Sequence, residues 1–203
     1  GRRNKDDQEA QGIYGGEQPM IFRRKMEKRT NYRKRRKMIL SRMPALYIRV
    51  SNKNVYAQVL VPEVVGDRTV VQANSKELQK AGWTYGRKSF PSAYLVGLLI
   101  GKRAIKGGLK EVLFYSGNNV FKAKTKLTGV IKGAVEAGLK VRCSDEIFPE
   151  DDAVNGERIV KYAAMLKAKG YKGQQFSMGL AKVEEEGKAI KKLKEAILSG
   201  EVS

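Results

Sequence analysis

Residues 45–61 read ALYIRVSNKNVYAQVLV. Two runs rich in β-branched and aromatic residues, ALYIRVS (45–51) and NVYAQVLV (54–61), flank Asn52–Lys53. Such runs favour strands, and a two-residue polar linker closes a tight turn, so the stretch predicts a β-hairpin. Pro44 punctuates the chain before it, and residues 62–67 form a second turn region. TVVQANS (69–75) predicts a third strand. Ser75, with Glu77 and Leu78 after it, opens a short helix that ends near Gly82.

Downstream the pattern changes from strand to helix. In PSAYLVGLLIGKRAIKG (91–107), Pro91 suits a first helical turn, and Tyr94, Leu95, Leu98, Leu99 and the Arg103 stem fall along its length. Gly97 and Gly101, four residues apart, predict close approach of this helix to a sheet. EVLFYS (111–116) is a strand candidate, LTGVIKGAVEA (127–137) a helix stopped by Gly138, and LKVR (139–142) a last short strand. The order β-β-β-α-β-α predicts an α/β core with a mixed sheet. SDEIFPEDD (144–152) reads as an acidic loop. A helix follows from Asn155–Gly156 to Lys169, with Ile159, Tyr162, Ala163 and Leu166 on one face. A final helix over 180–198 carries Leu180, Val183, Ile190, Leu193 and Ile197, interrupted by Gly187. Four parts result: a flexible or partner-ordered tail (1–21), a basic arm with a short helix (22–43), a single α/β core domain (44–143) and a helical C-terminal extension (144–203).

The charge is unevenly spread. The 203 residues carry a formal net charge of +20. FRRKMEKRTNYRKRRK (22–37) holds ten Lys or Arg and one acid, net +9; residues 38–143 are net +13, and the two ends are net −1 each. Self-repulsion makes such clustering costly until a polyanion neutralises it, which points to nucleic acid. Thr30 or Asn31 caps a short helix running to about Leu40. Along residues 33–37 charge faces every direction, so this helix has no apolar stripe for docking and needs another surface to lie against. Tyr32, inside the cationic run, suits stacking on an unpaired base.

Other chemistries find little support. With no histidine and one cysteine, Cys143, the chain has neither a zinc-ligand set nor a Ser-His-Asp or Cys-His pair. The single cysteine fits a reducing compartment. GLLIGKR (97–103) lacks phosphate-loop spacing and reads as helix packing. Asp145, Glu146, Glu150, Asp151 and Asp152 lack the calcium-loop spacing and read as a solvated loop or a protein contact. The central acids Glu63, Asp67, Glu77, Glu111 and Glu136 form no obvious cluster, which ranks a metal-dependent RNA-processing enzyme low. No cofactor is implied. Residues 1–12 hold no apolar signal core, and the longest apolar-rich run, 93–100, is far shorter than a membrane span. No strongly amphipathic cationic helix with bulky anchors favours a membrane surface. The sequence reads as a soluble, cytoplasmic, non-enzymatic RNA binder.

Five stretches together resemble one family, the large-subunit ribosomal proteins that carry 5S ribosomal RNA, in their archaeal and eukaryotic form (family eighteen of the universal nomenclature). They are FRRKMEKRTNY (22–32), PALYIRVSNKNV (44–55), PSAYLVGLLIGKRA (91–104), VFKAKTKLTGVIKGAVEAGLKV (120–141) and DEIFPEDDAVNGERIVKY (145–162). The likeness runs from about residue 20 to about residue 165, weaker beyond. Departures are Met26, Lys28, Phe90, YSGN (115–118), Cys143, Arg158 and residues 1–19.

The resemblance implies binding of 5S rRNA and its attachment to the large-subunit rRNA, in the central protuberance among neighbouring ribosomal proteins. It implies that the arm and the positive sheet face grip the RNA. Arg23, Arg24, Thr30, Asn31, Tyr32, Arg33 and Arg35 match the arm motif, and Asn52 and Lys53 the Ser-Asn-Lys turn. Lys25, Arg29 and Arg36 of the same arm complete the candidate RNA-binding set. A generic RNA-binding protein is the alternative.

Overall fold

The computed structural model describes residues 23–117, 120–170 and 186–200. The hairpin forms as the sequence predicts: β1 (Ala45–Val50) pairs antiparallel with β2 (Val55–Val61). Its turn is closed by Ser51, whose N–H and Oγ–H both donate to the Asn54 carbonyl at 2.8 and 2.9 Å. β3 (Arg68–Asn74) adds antiparallel to β2, while β4 (Glu111–Tyr115) lies parallel to β1 and β5 (Lys140–Val141) parallel to β4. The order β3-β2-β1-β4-β5 makes one mixed five-stranded sheet. β2 and β3 slip register between Val59 and Leu60, because Val70 is an extra residue between Thr69 and Val71.

Before the sheet lie α1 (Arg23–Met26) and α2 (Tyr32–Ser41). α3 (Ser75–Lys80) opens at Ser75 as the sequence predicts, with Asn74 as its cap. The Asn74 side chain accepts from the Lys76 N–H at 3.0 Å, and the Asn74 N–H donates to Glu77 Oε1 at 3.0 Å. Ser75 is instead fully buried, its Oγ accepting from the Val55 N–H at 3.0 Å, so the helix start is tied to β2.

α4 (Phe90–Lys106) and α5 (Lys126–Glu136) cover one face of the sheet. α4 is buried almost all round, so Leu95, Leu98, Leu99 and Ile100 each remove an apolar side chain from water. Its glycines do not face the sheet, as the spacing alone suggested; they face α5. A Cβ at Gly97 would stand 2.1 Å from the Val130 carbonyl oxygen, and one at Gly133 of α5 would stand 2.3 Å from that of Tyr94. The two helix backbones touch because neither position carries a side chain. Local sequence marks a small face but not whether a strand or a helix will fill it. At the far end of α4, Arg103 donates to the Gln72 carbonyl of β3 at 2.7 Å and pairs with Glu77 at 2.7 Å.

The acidic segment is more ordered than a solvated loop. It holds a 3₁₀ turn (Asp145–Ile147) and α6 (Asp151–Val154), followed by α7 (Glu157–Ala168). Its acids serve as internal ties: Asp151 with Lys132 at 2.5 Å, Glu150 with Lys124 at 3.3 Å and with Arg158, and Asp152 with Lys161 at 3.1 Å. On α7 Ala163 and Leu166 are buried, while Tyr162 is exposed rather than on the packed face. α8 (Glu186–Ser199) buries Ile190, Leu193 and Ile197 against the core. Leu180 and Val183, like the tail, lie outside the described residues.

α8 is also latched by a polar triad. The Tyr94 hydroxyl donates to Glu136, Lys194 donates to Glu136 at 2.9 Å, and Lys194 Nζ sits 5.4 Å from the Tyr94 ring centre. Burial, then the Glu136 hydrogen bond, pushes the Tyr94 phenol up to about 12. Among the described residues no helix is long and apolar enough to cross a membrane.

Candidate nucleic-acid interface

The arm is built by its own polar residues. After α1, Lys28 takes a left-handed conformation (φ 52°), and the Arg24 carbonyl accepts from the N–H groups of Arg29 and Thr30 at 2.9 and 3.2 Å. The Arg24 guanidinium donates to Thr30 Oγ1 at 2.9 Å. Glu27, the arm's one acid, pairs with Arg23 at 2.8 Å and Arg29 at 3.0 Å. Asn31 then caps α2, its Oδ1 accepting from the Lys34 N–H at 3.1 Å.

α2 does find a surface to lie against, and that surface is its own protein. Arg35 forks onto both carboxylate oxygens of Asp67 at 2.8 Å and donates to the Glu63 carbonyl at 2.8 Å. Met38, one turn on, is buried. An ion pair plus one apolar anchor replaces the missing stripe. The tie fixes the arm to the loop between β2 and β3 and uses the guanidinium of Arg35 within the molecule.

Alternation along the strands sorts the sheet into two faces. Leu46, Ile48, Val55, Ala57 and Val59 point to the helices. Tyr47, Arg49, Tyr56, Gln58, Leu60 and Tyr115 take the opposite face, where no helix of the core packs. The rings of Tyr47 and Tyr115 lie 6.0 Å apart, tilted by 39°. Burial, then the nearby Asp67 and Tyr47, raises the Tyr115 phenol above its usual pKa.

Arm and sheet enclose a groove of about 1320 Å³. Arg24, Lys28, Arg29, Thr30 and Tyr32 come to it from the arm, and Tyr47, Arg49 and Tyr115 from the sheet. Beside it a hollow of about 810 Å³ brings together Lys25, Thr30, Asn31, Tyr32 and Arg33 with Gly117. The structure thus gathers Arg24, Lys25, Arg29, Thr30, Asn31, Tyr32, Arg33 and Arg35 of the predicted set around the groove and the adjoining hollow. Arg23 is turned to Glu27, Arg35 to Asp67, and Arg36 is exposed. Asn52 and Lys53 are exposed at the hairpin turn, just past Val50 at the groove's end.

Sequence reading missed Tyr47, Arg49, Tyr56, Gln58 and Tyr115. The period-two alternation of β1 and β2 carried the signal, once Leu46 and Ile48 were assigned to the core. Cations for phosphates and phenol rings for unpaired bases are what a concave single-strand or loop-binding surface requires. The five central acids are each spent on a base: Glu63 on Arg68, Asp67 on Arg35, Glu77 on Arg103, Glu111 on Arg142 and Glu136 on Lys194.

Comparison with known proteins agrees in one direction. The family described as "Ribosomal large subunit proteins 60S L5, and 50S L18" matches residues 19–121. A protein of Caldivirga maquilingensis named large ribosomal subunit protein uL18 is 46% identical over 153 residues, covering 75% of this chain and 74% of that one. A protein of Thermofilum pendens with the same name is 40% identical over 146 residues, covering 72% and 74%.

Proposed function

Because this chain belongs to the family of large-subunit ribosomal proteins L5 and L18, we propose that its groove binds ribosomal RNA, and specifically 5S rRNA. As a member of that family it is a structural component of the large subunit rather than an enzyme, and its place is the cytoplasmic ribosome. The observation that carries the RNA reading is the groove itself: an arm of net +9 facing a sheet lined with tyrosines. Arginines and lysines of the arm position the phosphates and release counterions, while Tyr32, Tyr47 and Tyr115 stack on bases freed from a duplex. Attachment of 5S rRNA to the large-subunit rRNA, beside neighbouring proteins of the central protuberance, belongs to the same proposal. So does the division of labour between arm, core and C-terminal extension.

The test is a gel-shift titration of the full chain against homologous 5S rRNA, in magnesium, at two salt concentrations, with transfer RNA as competitor. Tight binding that survives excess transfer RNA is the expected result. Equal affinity for both RNAs would reduce the chain to a generic polyanion binder. Cleavage of the RNA would overturn the non-enzymatic reading.

A further inference from the structure

A third cavity, of about 400 Å³, opens at the carboxyl end of β1, where the N-terminal turns of α4 and α5 meet. Its walls are Val50, Phe90, Val120 and Leu127, and its rim carries Lys122 and Lys126. Two features separate it from ordinary core packing. First, the apolar wall reaches water: Val120 is 77% exposed. Second, the cations are uncompensated. Lys88, Lys122 and Lys126 have no acid partner among the described residues, whereas Lys124, in the midst of them in sequence, pairs with Glu150. Lys88 stands close enough to Lys126 that, after burial, its charge is what lowers the Lys126 pKa. Like charges held together over an apolar floor are unfavourable until an anion joins them.

The aromatic wall is fixed in place. Phe90 packs on the bare Cα of Gly129, where an added Cβ would stand 2.9 Å from the ring. At the helix end beside it, the Thr125 N–H donates to Thr128 Oγ1 at 3.0 Å and the Thr125 hydroxyl to the Lys122 carbonyl at 2.9 Å. What remains is an aromatic ring, aliphatic walls and the two lining cations Lys122 and Lys126. An acidic peptide would satisfy the lysines but leave the ring without a flat partner. A nucleotide supplies both, a base for the ring and phosphates for the lysines. Val50 borders both this cavity and the arm–sheet groove, so the two lie on either side of the end of β1.

We propose that this cavity receives one unpaired nucleotide of the RNA bound in the groove, its base against Phe90 and Leu127 and its phosphates on Lys122 and Lys126. The proposal rests on the groove's being the RNA site. It adds a stacking contact to an unstacked base, and stacking tolerates any base because every base has a π-face.

Methyl and aromatic NMR of the full chain tests it, with a single-stranded RNA pentanucleotide, the same strand made abasic at its centre, and a poly-glutamate peptide. The intact strand is expected to shift the methyl signals of Val50, Val120 and Leu127, and the abasic strand to do so with about tenfold weaker affinity. Lys122→Gln with Lys126→Gln should lower the salt slope by about 1.4, the value for two single-strand phosphates. Equal affinity of intact and abasic strands would overturn base binding. Shifts with the peptide but not with RNA would give the site to a protein. Unmoved cavity methyls with shifted Tyr47 and Tyr115 rings would reject the cavity and leave the groove standing. No shift anywhere would reject both.

Discussion

Replacing Gly97 by alanine adds a single methyl group to the most crowded place in the molecule. The new carbon would lie 2.1 Å from the Val130 carbonyl oxygen, where ordinary contact begins near 3.4 Å. That oxygen is backbone, so no rotamer change relieves the clash, and α4 must withdraw from α5 by about 1 Å. Overpacking of this kind costs about 1–3 kcal/mol, and often loses more when the parting surfaces forfeit a quarter to a half of their dispersion contact. Alanine returns about 1 kcal/mol in helix propensity. The net expectation is a loss of about 2 kcal/mol, or about 4–8 °C in Tm for a chain of this size. Urea unfolding followed by the fluorescence of Trp83, buried and the chain's one tryptophan, reads it directly. Gly66→Ala is the control, since nothing lies within 4 Å of its added carbon and its backbone is not left-handed. If Gly97→Ala unfolds at the same urea concentration as the control, the helix pair does not meet backbone to backbone, and the account of the core is wrong.

Three further outcomes follow from the same geometry. Arg24→Ala with Arg29→Ala should weaken RNA binding and lower the salt slope by up to about 1.4, at about 0.7 for each single-strand phosphate released; an unchanged slope would take these side chains out of the interface. The Tyr94 phenol, raised from 10.0 to about 12, adds stability that is whole below pH 10 and is lost as pH rises towards 12. Denaturation midpoints measured across that range should fall less steeply in Tyr94→Phe, which also loses one hydrogen bond, about 1 kcal/mol, at neutral pH. Gly187→Ala should raise the melting temperature slightly: the position is helical, its added carbon meets only the Asn155 carbonyl at 3.9 Å, and alanine favours helix by up to about 1 kcal/mol. A lowered melting temperature there would mean that the start of α8 is not helical in solution.

The elements whose shape is set by neighbours in sequence were legible. The hairpin follows from strand-forming runs on either side of a Ser-Asn-Lys-Asn turn, and α2 from an Asn31 cap ahead of good helix formers. α5 stops where Gly138 takes φ 100°. What could not be read was set by partners far along the chain. Gly97 announces a close contact, but only the fold says that Val130 fills it. Arg35 looks like every other arginine of its run until Asp67, thirty-two residues later, comes to lie beside it. The acidic segment has no fixed local use, and its role as a tie emerges when Lys124, Lys132, Arg158 and Lys161 converge on it. At the site the same division holds. The arm was visible because charge density needs no fold, whereas the tyrosines and Arg49 of the sheet become a surface only when strands β1, β2 and β4 stand side by side.

The outer strand β3 has a bearing on life before assembly. A strand edge is a template on which a second copy can add itself, and β3 is the outermost strand of the described sheet. Here the template is spoiled twice. Val70 bulges out of register, and the Gln72 carbonyl, which a visiting strand would need, is already taken by Arg103. Removing that guanidinium would leave the interface described above untouched and yet make the unassembled protein stick to itself, a fault that would surface as poor yield of free chain rather than as poor affinity.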